Sequence, residues 1–517
     1  MTFANRSWLR SGAWAILGVV LLAFGLRLVN LNARPFWYDE AFSILYAEKP
    51  LAKMLYGTII QTNGAAAEEH PLLYYVLLHG WMRLFGESPA AVRALSVALG
   101  VATVAVVYAL GRYLFDRRAG LLAALVTAVA PFALYYAQET RMYALLGLAA
   151  MTATYCFVRA WVEHKPWQWA AFAVAGAVTL YAHNLGALFV VSLDTWVLWA
   201  WWRQRRFVNL RSLFLAHVLM ALLFAPWLAI LPSQLNKVRQ AYWVAQPGLV
   251  SLLQTTMIFH FAYDNEALPG WLLPLAIAFS LLIPVILVLE WRRASRLGTV
   301  AAGAFPMPVA LLVCLTLLPP LLAFGVSQVR PVYVVRGFLP SALAYYVLAA
   351  GLLTRQSTPR LIRWGVLGSA GLIALASLLN HYTYAEFPRS PFGETAVFLA
   401  QHTDPATDII VHSNKMTYFP TYTYDRALPM AFIADEPSSP ADTLAYATQE
   451  ALEVFASPDL ITAVNGRQRV WFVIFDTALA EYAAVGRRPP QLDWLNAHYK
   501  QTNLVQFNDL RVYLFEK

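Results

Sequence analysis

Long apolar runs separated by short polar turns occupy the first three quarters of the chain. Runs of spanning length, roughly 17 to 25 residues, fall at about 13–31, 91–114, 119–136, 141–160, 167–182, 185–202, 211–231, 269–290, 304–325, 336–354 and 361–380. These are eleven predicted transmembrane helices. PLLYYVLLHGWMRLFG at 71–86 is a twelfth candidate, but it is short and contains His79 and Arg83. If it stays out of the bilayer, the clusters at Arg117 and Arg118, Arg159 to Lys165, Arg203 to Arg211, Arg292 to Arg296 and Arg355 to Arg363 all face the cytoplasm, as the positive-inside rule requires. The segment is therefore expected to be a juxtamembrane helix with Tyr74, Tyr75 and Trp81 at headgroup depth, inside one external loop over 32–90.

From residue 381 the pattern changes. DPATDIIVHSNKMTYFPTYTYD, RVWFVIFD and DLRVYLFEK have strand-like β-branched and aromatic content, and polar helical stretches lie near 440–456 and 476–500. The expected fold is a polytopic α-helical membrane protein of about eleven spans over 1–380, followed by a small α/β domain over 381–517. With a cytoplasmic N-terminus, that domain is extracytoplasmic.

Composition agrees: 59% of the 517 residues are hydrophobic and 13% charged, with a mean hydropathy of +0.52. The net charge of +9 does not indicate a nucleic-acid partner, because the cations sit in short clusters between spans. Cys156 and Cys314 both lie in apolar runs, which leaves neither a disulfide framework nor a cysteine metal motif. The first apolar segment has no small-residue cleavage site and reads as a retained anchor in the plasma (inner) membrane.

Ionisable and other polar groups gather on the predicted external face. They include Asp39 and Glu40, then Glu68, Glu69 and His70, Gln138, Glu139 and Arg141, His183 and Asn184, Lys237, Arg239, His260, Asp264 and Glu266, and Arg330 and Arg336. The span centres hold few such groups, chiefly Asp194 and His217. Pumps and transporters place charges at mid-membrane depth, so this distribution points to surface chemistry, with a flippase or transporter of lipid-linked sugars as the alternative. Each residue also has a bland reading. Asp39 and Glu40 suit a helix start, Pro71 suits the first helical position, Arg141 suits headgroup contact, and EEH alone is a weak metal signal.

Taken in order, WYDEAFS, EEHPLLYYVLLHGWMRLFG, AVRALSVALG with GRYLFDRRAGLLAAL, YYAQETRMYALL and YAHNLG resemble the integral-membrane glycosyltransferases of the GT-C class. The resemblance is to the branch of protein O-mannosyltransferases and the bacterial aminoarabinose transferase, glycosyltransferase family 39. It implies a GT-C fold that moves a sugar from a polyprenyl-phosphate donor to a protein, lipid or glycan acceptor on the external face. Asp39 matches the catalytic aspartate of loop one and Glu40 the acid beside it. Glu69 matches a position that helps bind a divalent metal (magnesium, manganese or zinc), with His260 as candidate co-ligand. Arg141, Arg330 and Arg336 are the candidates for holding the donor phosphate, and His70, Glu139 and His183 are further site candidates. A single carboxylate base predicts inversion at the anomeric carbon.

Overall fold

The protein is described here by a computed structural model covering residues 4–62, 65–66, 70–204, 210–240, 244–261, isolated positions between 274 and 292, 307–355, 358–383, 390–436, 439 and 442–517. In hydrocarbon every backbone N–H and C=O must be satisfied within the chain, so the apolar runs become helices. After α1 (Ala4–Leu28) the chain forms α2 (Tyr38–Ala47), α3 (Leu51–Ile59), a minimal hairpin of β1 (Gln61–Thr62) and β2 (Ala65–Ala66), and α4 (Leu73–Phe85). Then follow α5 (Pro89–Leu114), α6 (Arg117–Val129), α7 (Pro131–Ala137), α8 (Tyr143–Glu163), α9 (Pro166–Ala182), α10 (Gly186–Gln204), α11 (Leu210–Leu228), α12 (Leu231–Gln240) and α13 (Leu249–Phe261). The described bundle ends with α14 (Met307–Ser327), a 3₁₀ turn at Val335–Phe338, α15 (Leu339–Leu353) and α16 (Arg360–Thr383).

Among the described residues six helices are long and apolar enough to cross a membrane, or seven if α6 and α7 count as one broken span. Shorter apolar helices occupy Ala13–Leu28, Gly186–Trp202 and Leu249–His260. The expected span at 269–290 lies outside the described residues apart from isolated positions.

Three expectations about the membrane part need correction. The run at 119–136 is two helices meeting at 61°, because Pro131 cannot donate the hydrogen bond that would continue α6. Residues 249–261, expected within an external loop, form an apolar helix packed on α7, α14 and α16. In α4, Tyr74 and Tyr75 are fully buried, and the outward positions are Val76, Leu77, Gly80, Arg83, Leu84 and Phe85. The tyrosines are drawn inward because Tyr74 reaches Ser96 at 3.2 Å and Tyr75 accepts from Arg141 at 3.4 Å.

Beyond Ser390, α17 (Phe392–His402), β3 (Asp408–His412), α18 (Lys415–Tyr424), β4 (Met430–Phe432), α19 (Tyr446–Leu452), α20 (Leu460–Val464), β5 (Arg469–Phe475), α21 (Asp476–Ala484), α22 (Pro490–His498), β6 (Lys500–Phe507) and β7 (Leu510–Glu516) build an α/β unit. Its sheet runs β4-β3-β5-β7-β6, with β3 parallel to β4 and β5, and β7 antiparallel to β5 and β6. Alternate residues face opposite sides: Val411, Phe472 and Phe515 pack with Leu460 and Leu495, whereas Ile410, Trp471 and Val473 pack with Phe392 and Leu399. Burial on both faces accounts for the unbroken apolar run VWFVIF.

The stretch KMTYFPTYTY, expected to be strand-like, is helix α18. Asn414 caps it by accepting from the N–H groups of Met416 (3.0 Å) and Thr417 (3.2 Å). Its aromatic content reflects packing on α2, a tertiary demand that local propensity does not register.

Candidate functional site

Helix α2 brings Asp39 and Glu40 into its first turn, where their side chains go to different places. Glu40 is completely buried. Its carboxylate accepts from Arg93 Nε and Nη2, each at 2.8 Å, and from the Thr140 N–H at 3.0 Å. Arg93 also donates to the carbonyls of Leu31 and Arg34 at 2.8 Å and of Pro35 at 3.3 Å. A carboxylate so fully coordinated is a strut between α2, α5 and the turn after α7.

Asp39 faces a less tightly enclosed cluster, its side chain 16% exposed. Arg336 Nη1 lies 2.9 Å from Asp39 Oδ2 and Arg141 Nε 3.8 Å from the same oxygen. Arg141 further donates to Ser43 Oγ at 3.1 Å, and the Arg336 guanidinium lies over the rings of Trp37 (5.5 Å) and Tyr143 (5.3 Å). Burial pushes the Asp39 carboxyl up, but the charges of Arg141, Arg336 and His70 outweigh it and hold the group below the usual aspartate range. The rings of His70 and His183 meet edge to face at 5.3 Å. Burial, with His70 and the two arginines nearby, pushes the His183 imidazole well down.

The turn carrying Arg141 is set by the broken span. Arg27 of α1 donates to the Thr127 and Ala128 carbonyls (3.2 and 3.0 Å) at the end of α6, groups that the break leaves without helical partners. Gln138 in turn donates to the Arg27 and Val29 carbonyls, both at 2.9 Å. Glu139 lies buried beside this turn, among Tyr136, Tyr143 and Tyr74, on which its charge acts.

The structure thus gathers Asp39, Arg141, Arg336, His70 and His183, with Glu40 directly behind. Arg330 is exposed beyond the end of α14 and makes none of the described contacts of this cluster. His260 sits on α13 with its ring 4.9 Å from Tyr345, lining an apolar cavity of about 180 Å³ between α6, α15 and α16. It is therefore not the external-loop residue expected, because LVSLLQTTMIFHF folds into the bundle. Glu69 and Glu68 lie outside the described residues, and among the described residues no three His, Cys, Asp or Glu side chains form a group able to hold a metal ion. Asp194 and His217 pair with each other at 3.1 Å between α10 and α11. Two of the rings beside Asp39 pack within the protein, Phe36 with Tyr424 and Tyr38 with Phe419.

Sequence reasoning missed Arg27, Arg93, Ser43, Tyr75 and Tyr143. The two arginines did leave a signal, since a cation inside an apolar span implies a buried partner.

Comparison with known proteins bears on this arrangement. Residues 69–230 match the family model described as dolichyl-phosphate-mannose-protein mannosyltransferase. The undecaprenyl phosphate-alpha-4-amino-4-deoxy-L-arabinose arabinosyl transferase of Pseudomonas paraeruginosa is 26% identical over 464 residues, covering 77% of this chain and 80% of that protein. Its Pseudomonas aeruginosa counterpart is 26% identical over 455 residues, covering 75% and 79%. Among solved structures, ArnT from Cupriavidus metallidurans bound to undecaprenyl phosphate superposes with a TM-score of 0.60 at 17% identity, over 97% of this chain and 98% of that one. The apo oligosaccharyltransferase of Archaeoglobus fulgidus gives 0.56 at 12%, over 95% and 73%. The chain has the fold of the GT-C membrane glycosyltransferases, and it resembles the family 39 branch of protein mannosyltransferases and aminoarabinose transferases.

Proposed function

We infer that this protein is an integral-membrane glycosyltransferase that takes a sugar from a polyprenyl-phosphate donor and passes it to an acceptor, with inversion at the anomeric carbon. The observation that supports the mechanism best is the contact of one ionised, partly open carboxylate, Asp39, with two arginines. Arg336 and Arg141 suit the phosphate of the donor, which Arg binds through a planar fork of donors. Asp39 takes the proton of the acceptor hydroxyl as its oxygen bonds to the anomeric carbon. The bond from that carbon to the phosphate oxygen breaks, and its electron pair stays on the phosphate, whose charge the arginines stabilise.

Two features refine this reading. Glu40 is committed to Arg93, so catalysis is assigned to Asp39 and Glu40 is assigned a structural role. Asp39 shares its arginines with the incoming phosphate, so donor binding loosens its ion pairs and makes it a stronger base. Because Glu40 is committed to Arg93, we assign Asp39 to direct displacement and not to a mechanism shared between the two adjacent carboxylates. We place the site and the 381–517 domain on the extracytoplasmic face of the inner membrane, on the strength of the arginine clusters expected inside. A role for Glu69 in binding a metal stays part of the proposal, while the chemistry rests on the side chains above.

The test is sugar transfer by detergent-purified protein, offered a panel of polyprenyl-phosphate sugars and a crude membrane acceptor fraction. Transfer from one donor, with product of inverted configuration, is the expected result. Carrier translocation in liposomes without transfer from any donor would overturn the assignment in favour of a flippase.

A further inference from the structure

The α/β unit that follows the membrane bundle touches the segment bearing the base. Tyr424, at the end of α18, accepts a hydrogen bond from the Phe36 N–H at 2.9 Å, three residues before Asp39, and its ring lies 5.4 Å from that of Phe36. Phe419, also on α18, packs at 5.6 Å from Tyr38 and 6.5 Å from Phe42, the residues flanking Asp39 on α2. The membrane side grips the same segment from behind, where Arg93 gathers the carbonyls of residues 31, 34 and 35 and Glu40 binds the Thr140 N–H. The first turn of α2 is therefore held between two bodies that come from opposite ends of the chain.

We propose that Tyr424 and Phe419 are positioning residues for the transfer reaction: the C-terminal unit fixes the first turn of α2, and with it the Asp39 carboxylate, against Arg336 and Arg141. This rests on the proposed role of Asp39. The physical reason is the short reach of proton transfer, since a catalytic group displaced by about 1 Å loses on the order of 10²-fold in rate. Phe36 N–H has no helical partner ahead of α2, so the Tyr424 hydroxyl fixes the backbone at the point where direction into the helix is set. The Phe419 ring then blocks rotation of α2 about its axis. Exposed pairs farther along the same interface, such as Lys49 and Lys53 with Glu453, contact α3 and the end of α2 and leave the first turn untouched.

The experiment combines hydrogen exchange with transfer kinetics on full-length protein, comparing wild type, Tyr424→Phe, Tyr424→Ala, Phe419→Ala and Glu453→Gln, with Asp39→Asn as reference. In Tyr424→Phe, which keeps the ring, amide exchange across 36–42 should rise about tenfold while peptides from α5 stay protected. Its kcat should fall about three- to tenfold at unchanged donor KM. Tyr424→Ala and Phe419→Ala should lose on the order of 10²-fold in kcat, and Glu453→Gln should match wild type. Unchanged exchange and kcat in Tyr424→Phe would overturn the proposal, as would a loss confined to acceptor KM, which would make the unit an acceptor-selecting module. The exchange readout is independent of turnover: faster exchange with full activity in Asp39→Asn would keep the clamp and sink the base.

Discussion

Asp39 and Glu40 are neighbours in sequence, yet the regions that receive them differ in nearly every physical respect. The region behind α2 is closed: Glu40 and Arg93 have no exposed side-chain surface, and the carboxylate takes two guanidinium bonds and a backbone N–H. The region in front is less tightly closed: Asp39 keeps 16% exposure, and the arginines that face it sit at 2.9 and 3.8 Å with rings and hydroxyls around them. A buried, saturated ion pair holds structure and resists exchange of partners. A partly exposed pair with one long contact is able to surrender its cations to a phosphate. One turn of helix thus joins a strut to a reactive group, and the strut keeps the reactive group in place.

The contrast breaks most sharply at the strut. Glu40→Gln should destabilise the fold by about 3 to 5 kcal/mol, because it strands the Arg93 charge, and thermal unfolding in detergent would show it as a large drop in midpoint. Replacing both partners, Glu40→Met with Arg93→Met, should recover only part of that loss, because the carbonyls of Leu31, Arg34 and Pro35 and the Thr140 N–H lose their partners. Equal stability of single and double variants would deny the strut. Next in size, Arg336→Gln should lower kcat/KM for the donor about 10²-fold with little change in midpoint, and the corresponding change at Arg330 should have no such effect.

A smaller effect concerns pH. The folded Asp39 carboxyl lies below its ordinary value of about 3.9 because Arg141, Arg336 and His70 outweigh burial. Asp39 is then ionised throughout neutral pH, and its contribution to stability, present above the ordinary value, fades as pH falls through the lowered one. The acid limb of kcat/KM, a property of the free enzyme, should lie below that of kcat, measured with phosphate competing for the arginines. Coincident limbs would contradict the sharing of cations. Smallest of all, Glu453→Gln at the solvent-exposed interface should leave turnover within about twofold of wild type.

Much of the front region was legible in the sequence. Charge distribution put Asp39, His70, Arg141, His183 and Arg336 on one face, because the positive-inside rule fixes which loops share a side. Of the back region the sequence shows only that Arg93, inside an apolar run, needs a buried partner; that the partner is Glu40, 53 residues away, no local pattern tells. Helix α13 reads as part of a loop because Leu249–Phe261 is shorter than a full span. The aromatic stretch of α18 reads as strand because its rings serve a contact with α2, and no local pattern announces a partner from the other end of the chain.

The most direct test of the central claim is single-turnover sugar transfer by Asp39→Asn, with donor binding and thermal midpoint measured on the same protein. The account predicts a loss of 10² to 10⁴-fold in the transfer rate, with a stable fold and donor still bound. Transfer at near wild-type rate by the folded, donor-bound variant would show that the proton leaves by another route and that Asp39 is not the base.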